Sequence, residues 1–362
     1  MIETSTAERI MRRALDLAAR GPMRNRNPRV GAVIVDATGR ILAEGWHRGH
    51  GTAHAEVAAL DALPVSLRTP AALADATMVV TLEPCDHTGT TGPCSVAILE
   101  SGIRSVVHAI ADPSPTAAGG AERLRAAGVA VRSGFLAAEA AELNRGWLTV
   151  AALGRPFVTA KWASTLDGRV AAADGSSRWI TGADARVDVH RRRADAAAIL
   201  VGTGTVLADD PSLTARDAAG GLLATQPIPV VLGARGIPAE AAVHGHPHAP
   251  LFLDGHDLPA TLATLAEAGL HEVFVEGGPT IVTALAAAGL VDEYLVYLAP
   301  VLLGGPRLAV GDLGIGSIAD ARRLAVREIT RLGDDLLVVA RPQASPETST
   351  SSEGSSHVHG DH

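Results

Sequence analysis

The chain has 362 residues, more than one hydrophobic core usually serves, and its 47% hydrophobic but 3% aromatic composition predicts two domains with cores of Ala, Val, Leu and Ile. A net charge of −8 argues against a nucleic-acid footprint, which needs clustered Lys and Arg. No apolar run reaches the roughly 18 residues of a membrane span, and the N-terminus, with Glu3, Glu8, Arg9, Arg12 and Arg13, lacks the apolar middle of a secretion signal, so the expectation is a cytoplasmic protein acting on a small molecule.

Ser5-Thr6-Ala7-Glu8 has the spacing of a capping box, and Ile10, Ala14, Leu17 and Ala18 recur on one face of a helix that stops at Gly21-Pro22. A polar loop from Asn25 to Arg29 leads into two strands, Val30 to Val35 and Ile41 to Trp46, joined as a hairpin. Asn27 in that loop is either a substrate contact or simple turn chemistry. A helix from Ala53 to about Leu63 follows, with His54 and Glu56 at its start. Residues two apart on a helix diverge by roughly 200°, so both face one site only from the first turn. Thr77 to Leu82 is a compact strand, followed by Glu83-Pro84-Cys85, and Pro93 opens a helix with Cys94 in its first turn. Strand, helix and strand continue through Ser105 to Ile110, Ala121 to Ala127 and Val129 to Val131, the alternation of an α/β sandwich.

Both cysteines of the chain lie in this stretch. A disulfide closing a short loop is the plain alternative, but His and Glu upstream in an intracellular chain favour a metal. His54, Cys85 and Cys94 fit three zinc ligands, and Glu56 fits the unligated carboxylate that moves protons beside a hydrolytic zinc. A helix N-terminus favours the thiolate that a metal needs. His54-x-Glu56 alone is an ordinary surface or capping pair; the thiols give it meaning. His87 and Asp112 either line the pocket or are solvated loop residues.

The segment from about Glu8 to Asn144 resembles the cytidine-deaminase-like zinc deaminases. Asn27-Pro28-Arg29-Val30-Gly31, His54-Ala55-Glu56 and the Pro-Cys pair look like the riboflavin-pathway pyrimidine deaminase. Relatives acting on bases or nucleosides often carry Pro-Cys-x-x-Cys, whereas eight residues separate Cys85 from Cys94, as in the riboflavin branch. That family commonly has Arg where this chain has Thr90, so the resemblance supplies no cationic phosphate contact there. It implies hydrolytic loss of ammonia from an aminopyrimidine bearing a ribosyl phosphate, with Glu56 as proton carrier.

Ala137 to Asn144 reads as a helix, and Arg145 to Arg155 carries the chain across a boundary toward Pro156. The expected organisation is a domain over residues 1–150, a second over 151–342, and a disordered tail over 343–362, rich in Ser, Thr, Glu and Gly. In the second half, Phe157 to Lys161 is a strand, Ser164 to Arg169 a loop, and Ala183 to Arg193 a helix ending in Arg191-Arg192-Arg193, a solvated face or a phosphate anchor. Two glycine-rich joints follow strands: Gly202-Thr203-Gly204-Thr205 after Ala196 to Val201, and Glu276-Gly277-Gly278-Pro279-Thr280 after Glu272 to Val275. Each presents helix amides to which a pyrophosphate can bind, and either alone is also a plain βα turn. Asp217 to Pro227 and Gly233 to Pro250 are loop-rich, with His244, His246 and His248 expected in a solvated loop. Glu293 to Leu298 and a final hairpin of Arg323 to Arg331 with Leu336 to Ala340 add antiparallel strands.

This mixed sheet is similar to dihydrofolate reductase. Lys161-Trp162-Ala163-Ser164-Thr165-Leu166-Asp167-Gly168, Thr205-Val206-Leu207-Ala208-Asp209-Asp210-Pro211 and Glu276-Gly277-Gly278 resemble the riboflavin-pathway reductase from about Pro156 to Arg341. Nearly the whole chain therefore resembles the bifunctional riboflavin-biosynthesis deaminase-reductases (diaminohydroxyphosphoribosylaminopyrimidine deaminase / 5-amino-6-(5-phosphoribosylamino)uracil reductase). The fold class implied is α/β in two domains, a cytidine-deaminase-like α/β/α sandwich followed by a dihydrofolate-reductase-like mixed sheet. The resemblance implies zinc and NADPH as cofactors, and homo-oligomers. It implies NADPH contacts at Ala163, Trp179, Thr205, Asp209 and a loop from Gly277 to Ala284 that includes Gly278, Pro279 and Thr280. Ser177, Arg193, Leu213, Arg216 and Glu276 are implied to hold the ribosyl-phosphate substrate, the arginines suiting phosphate by bidentate binding. Two other readings stand beside it: a nucleobase or nucleoside zinc deaminase fused to an unrelated nucleotide-binding domain, and a catalytically idle zinc-stabilised binding protein.

Overall fold

A computed structural model describes residues 2–88, 92–114 and 117–343; the departure at Thr90 and the tail from residue 344 fall outside the described residues. The first half runs α1 (Thr4–Ala18), β1 (Gly31–Val35), β2 (Ile41–Trp46), α2 (Ala55–Asp61), α3 (Pro70–Leu73), β3 (Thr77–Leu82), α4 (Cys94–Ser101), β4 (Ser105–Ile110), α5 (Gly120–Ala126), β5 (Ala130–Ser133), α6 (Ala137–Leu143) and α7 (Arg145–Leu153). The second runs β6 (Phe157–Thr165), α8 (Ala183–Ala194), β7 (Ala198–Gly202), α9 (Thr203–Asp209), β8 (Ile228–Leu232), β9 (Leu251–Leu253), α10 (Leu258–Glu267), β10 (Glu272–Val275), α11 (Pro279–Ala287), β11 (Glu293–Ala299), β12 (Leu324–Leu332) and β13 (Asp335–Pro342).

The first sheet has the order β2-β1-β3-β4-β5, with β1 antiparallel to both neighbours and β3, β4 and β5 parallel. β1 and β3 are buried along their whole length because both faces are covered. Ala32, Ile34, Met78 and Val80 pack with Ala55, Ala59 and Ile98 of α2 and α4, while Val33, Val35 and Val79 pack with Ile10, Met11, Ala14 and Leu17 of α1. Covering on both sides explains why these strands read as unbroken apolar runs. Two expectations are corrected. α1 starts at Thr4 with Glu3 as N-cap and no side-chain cap, so Ser5 and Glu8 lie inside the helix rather than forming a capping box. The linker expected from Arg145 is largely helical, as α7.

The second sheet has the order β12-β13-β11-β6-β10-β7-β8-β9, parallel from β11 to β9 and closed by the antiparallel β13 and β12. One face packs on α10 and α11 through Leu262, Leu265, Val282 and Leu285; the other packs on α8 and α9 through Ala185, Val189 and Val206. β11 alternates between buried and half-buried positions, as a strand does when only one face is filled. On its other face, Val296 and Leu298 pair with Val338 and Leu336, and Val338 pairs with Ile329. Leu336, Val326 and Ile329 on that face are exposed, leaving an uncovered apolar patch. His246 is buried, its Nδ1 accepting from His248 N–H at 3.0 Å, so the solvated loop expected there holds an inward-facing ring. No helix among the described residues is long and apolar enough to cross a membrane.

Candidate active sites

His54 is the N-cap of α2 and Glu56 lies in its first turn, which lets both serve one site. Gly45 makes this possible: a Cβ there would stand 2.3 Å from Ala59 N, so α2 rests directly on β2. Cys85 follows the C-terminal end of β3, and Cys94 opens α4. Asp86 holds the connection by accepting from Ser95 Oγ at 2.5 Å and Arg123 Nη1 at 3.0 Å.

His54 Nδ1 lies 3.5 Å from Cys85 Sγ and 3.3 Å from Cys94 Sγ, and the three atoms lie within 4.8 Å of one another. With Zn–S of about 2.3 Å and Zn–N of about 2.0–2.1 Å, three corners of a tetrahedral site are separated by roughly 3.5–3.8 Å. Spacing and donor chemistry therefore fit zinc. Both cysteines are free. Cys94 N–H donates to Cys85 Sγ at 3.5 Å. Hydrogen bonding with Cys94, aided by His54, holds the Cys85 thiol down, while the same pairing and burial push Cys94 up. Glu56 stands outside the His54, Cys85 and Cys94 group, 4% exposed, and burial pushes its carboxyl up to about 7. A group in that range can both take and return a proton near neutrality.

The surroundings are polar. His47 Nδ1 lies 3.1 Å from the Ala53 carbonyl, Asn27 Nδ2 lies 3.1 Å from His47 Nε2, and the His47 ring meets His54 edge to face at 5.6 Å. Burial lowers the His47 pKa, so the ring is neutral, donating from Nδ1 and accepting from Asn27. Glu83 accepts from the backbone N–H groups of Asp112, Gly119 and Ala121, tying the end of β3 to the start of α5. Among the described residues, Asn25 Nδ2 and His87 Nδ1 are buried without a hydrogen-bond partner.

In the second half, β6, β10, β7 and β8 are parallel neighbours whose C-terminal ends share one edge, where open α/β sheets receive ligands. The two glycine-rich joints leave adjacent strands there, and Gly278 N–H donates to Thr205 Oγ1 at 3.2 Å. The stretch from Gly277 to Ala284 is loop only through Gly278; Pro279 begins α11 and places Thr280 in its first turn. Asp209 ends α9, and its carbonyl accepts from Arg178 Nη2 at 2.9 Å, drawing the segment of Ser177 and Trp179 toward it. Trp179 is 70% exposed, with the Arg186 guanidinium 4.7 Å over its ring. Ala163 lies on β6. Side-chain-free Gly277 and Gly278, the Thr205 hydroxyl, an open indole and the amides of α11 fit a dinucleotide.

Arg193 Nε and Nη2 donate to Glu276 at 2.5 and 3.0 Å, and Nη1 donates to the Thr214 carbonyl at 2.9 Å. Arg216 Nε donates to Thr214 Oγ1 at 2.9 Å. Leu213 is buried with φ of 56°. Four of the expected substrate residues thus gather around Thr214, while Ser177 is exposed. Arg191 to Arg193 is not one solvated face. Successive helical positions turn by 100°, so Arg191 and Arg192 pair with Asp188 and Arg193 points inward to Glu276.

Lys161 is absent from the site residues expected from sequence. Its Nζ lies 3.3 Å from Glu276 Oε2 and 5.6 Å from the Tyr297 ring centroid. Burial raises the Glu276 carboxyl, but Arg193 and Lys161 outweigh it and hold the group down at about 2. The signal was compositional. Lys161 is the only lysine among 31 Lys and Arg residues, so a compact ammonium persists where arginine fills every other basic position.

Residues 4–110 match the cytidine and deoxycytidylate deaminase zinc-binding region, and residues 156–338 match the RibD C-terminal domain. The chain is 49% identical over 312 residues to riboflavin biosynthesis protein RibD of Mycobacterium tuberculosis (strain H37Rv), covering 86% of this chain and 90% of the other. It is 39% identical over 365 residues to RibD of Escherichia coli (strain K12), covering 91% and 97%. The solved structure of Acinetobacter baumannii RibD superposes with a TM-score of 0.82 at 34% identity, over 94% of this chain and 100% of that one. A Thermotoga maritima diaminohydroxyphosphoribosylaminopyrimidine deaminase/5-amino-6-(5-phosphoribosylamino)uracil reductase also gives 0.82 at 34% identity, over 94% and 99%. With a zinc-deaminase half and a reductase half both present in one chain, this protein belongs to the RibD family of bifunctional riboflavin-biosynthesis deaminase-reductases.

Proposed function

We propose that residues 1–150 hydrolytically deaminate 2,5-diamino-6-(5-phosphoribosylamino)pyrimidin-4-one and that residues 151–342 reduce the ribosyl group of the resulting 5-amino-6-(5-phosphoribosylamino)uracil to ribityl. The observation that carries the reading is the pairing of two built sites in one chain: buried Glu56 beside His54, Cys85 and Cys94, and Glu276 between Arg193 and Lys161 at the mouth of two glycine joints. A deaminase fused to an unrelated nucleotide-binding domain does not account for the match of residues 156–338. An idle zinc-stabilised protein has no use for a buried free carboxylate at Glu56.

His54, Cys85 and Cys94 would hold zinc, which would supply Lewis-acid activation of water. Glu56 takes one proton of the attacking water and gives it to the ring nitrogen as the C–O bond forms, then passes the remaining hydroxyl proton to the amine, so that the C–N bond breaks, the carbonyl forms and ammonia leaves. Asn27 and His87 offer the polar contacts that orient the pyrimidine, His87 through a buried Nδ1 with no described partner.

Ala163, Trp179, Thr205, Asp209, Gly277, Gly278, Pro279 and Thr280 would hold NADPH, which would supply the hydride for the anomeric carbon. Ring opening leaves the sugar ring oxygen in need of a proton, and the Lys161 ammonium, fixed by Glu276, stands as its donor. Ser177, Leu213, Arg216 and Glu276 hold the substrate, with Arg216 on the phosphate; Arg193 acts mainly by orienting Glu276. The protein works in the cytoplasm as a homo-oligomer, the uncovered face of Val326, Ile329 and Leu336 receiving a second copy. The testing experiment supplies the diamino substrate with NADPH and follows ammonia and the ribityl product together. Ammonia without NADPH oxidation would refute the second half of the reading, and the absence of both would refute all of it.

A further inference from the structure

The loop that carries Asn27 toward the zinc-ligand cluster is held from outside its own domain. Arg26 Nη2 donates to the Glu267 carbonyl at the end of α10, at 2.8 Å across 241 positions of sequence. Arg29 Nη2 donates to the Leu143 carbonyl at 2.7 Å, its backbone N–H donates to Asn144 Oδ1 at 2.8 Å, and Asn144 Nδ2 donates back to the Arg29 carbonyl at 3.0 Å. Asn144 is buried between α6 and α7.

The next two residues continue the clamp. Arg145 Nε donates to Glu272 at the start of β10 at 3.0 Å. A Cβ on Gly146 would fall 2.6 Å from Glu272 Cγ and 2.7 Å from the His271 carbonyl oxygen, so the first turn of α7 is seated directly on the second sheet. The Asn25 to Arg29 loop is therefore pinned at Arg26 by the reductase half and at Arg29 by a junction that is itself docked on that half. Between the pins, Asn27 reaches His47, whose ring meets the metal-ligand His54.

We propose that Arg26 and Arg29 are positioning residues for deamination: docking of the reductase half fixes the loop and so holds Asn27 and His47 in place beside the zinc site. On this reading one wall of the first site depends on contact with the second domain. This rests on the reading of the first half as a deaminase. Misplacement of a positioning wall by about 1 Å can cost on the order of 100-fold, and loss of one surface anchor should cost less.

The test uses the full-length zinc enzyme. In Arg26→Ala, an exposed site whose loss leaves the core intact, the KM for the diaminopyrimidine ribosyl phosphate should rise about tenfold, while zinc content and NADPH-dependent reduction of separately supplied deaminated product stay at wild-type values. Arg26→Lys, whose ammonium can reach the Glu267 carbonyl, should restore the KM. Gly146→Val, which forces α7 off the second sheet, should give the same KM rise without touching the deamination site. Wild-type deamination kinetics in both Arg26→Ala and Gly146→Val overturn the proposal, as does parallel loss of zinc and of both activities, which would mark general unfolding. A wild-type chain that releases no ammonia would instead refute the underlying deaminase reading.

Discussion

Lys161 Nζ stands 3.3 Å from Glu276 Oε2, reaching from β6 to the end of the neighbouring β10, while Arg193 grips the same carboxylate from α8. One acid therefore orients two cations of different character. Arg193 is a planar fork held at all three nitrogens by Glu276 and Thr214, whereas Lys161 is a compact ammonium with donors to spare. Lys161→Arg should lower kcat for ribosyl reduction by roughly 100-fold or more, because a second fork cannot present a proton at the same point. Ammonia release should be unchanged. NADPH oxidation with supplied deaminated product measures the first effect; activity close to wild type would remove Lys161 from the proton path.

Acid should weaken the same cluster. The Glu276 carboxyl sits at about 2 in the folded chain, below its ordinary 4.5. A depressed folded pKa contributes stability that is complete above the unfolded value and is lost as pH falls from about 4.5 toward 2. Glu276→Gln should flatten this part of the stability profile and cost about 3–5 kcal/mol at neutral pH, since Arg193 and Lys161 are left buried without their anion. Denaturant unfolding at several pH values between 6 and 3 checks both; an unchanged pH slope would assign the acid sensitivity elsewhere.

Glu56→Gln keeps the shape of the first site and removes its proton carrier. Ammonia release should fall by about 100- to 10,000-fold, with one zinc per chain retained by metal analysis. Loss of zinc in this variant would show that Glu56 belongs to the ligand set.

Chelation separates the two halves. Stripping zinc should abolish ammonia release yet leave NADPH-dependent reduction of supplied deaminated product intact, because no described residue of the second site is a ligand of the first. Adding zinc back restores deamination. Equal loss of both activities would mean that the metal supports the fold of the whole chain.

Val326 and Ile329 lie on the uncovered sheet face at 57% and 65% exposure. Val326→Lys combined with Ile329→Lys should shift the protein toward monomer in sedimentation velocity, without lowering zinc content. An unchanged oligomer would place the subunit contact on another surface.

Much of the first half was legible in sequence because its signals are local. Thr77–Leu82 and Ser105–Ile110 are short runs buried on both faces, and their limits follow from the residues themselves. His54, Cys85, Cys94 and Glu56 could be singled out in sequence because the chemistry of zinc restricts the residue types, and the fold gathers the first three within 4.8 Å of one another. What escaped was set by distant partners. β9 and α10 lie in a stretch from which no element was read, since Leu258–Glu267 acquires its role only when Leu262 and Leu265 meet Val230 and Val273. α7 follows α6 with only Asn144 between them, and Asn144 is ordered by Arg29, 115 residues earlier. The contact of Arg193 with Glu276 could not be read from the basic run, left open as a solvated face or a phosphate anchor, because Glu276 lies 83 positions away.

The solitary lysine also makes the chain unusually easy to map. A lysine-specific endoprotease has one place to cut, after Lys161, and on the denatured protein it should release two fragments that nearly separate the zinc half from the nucleotide half. In the folded protein that side chain is 14% exposed on β6, so the cut is withheld. The rate at which those two fragments appear therefore clocks the opening of the second sheet around its reactive centre, read from a single peptide bond.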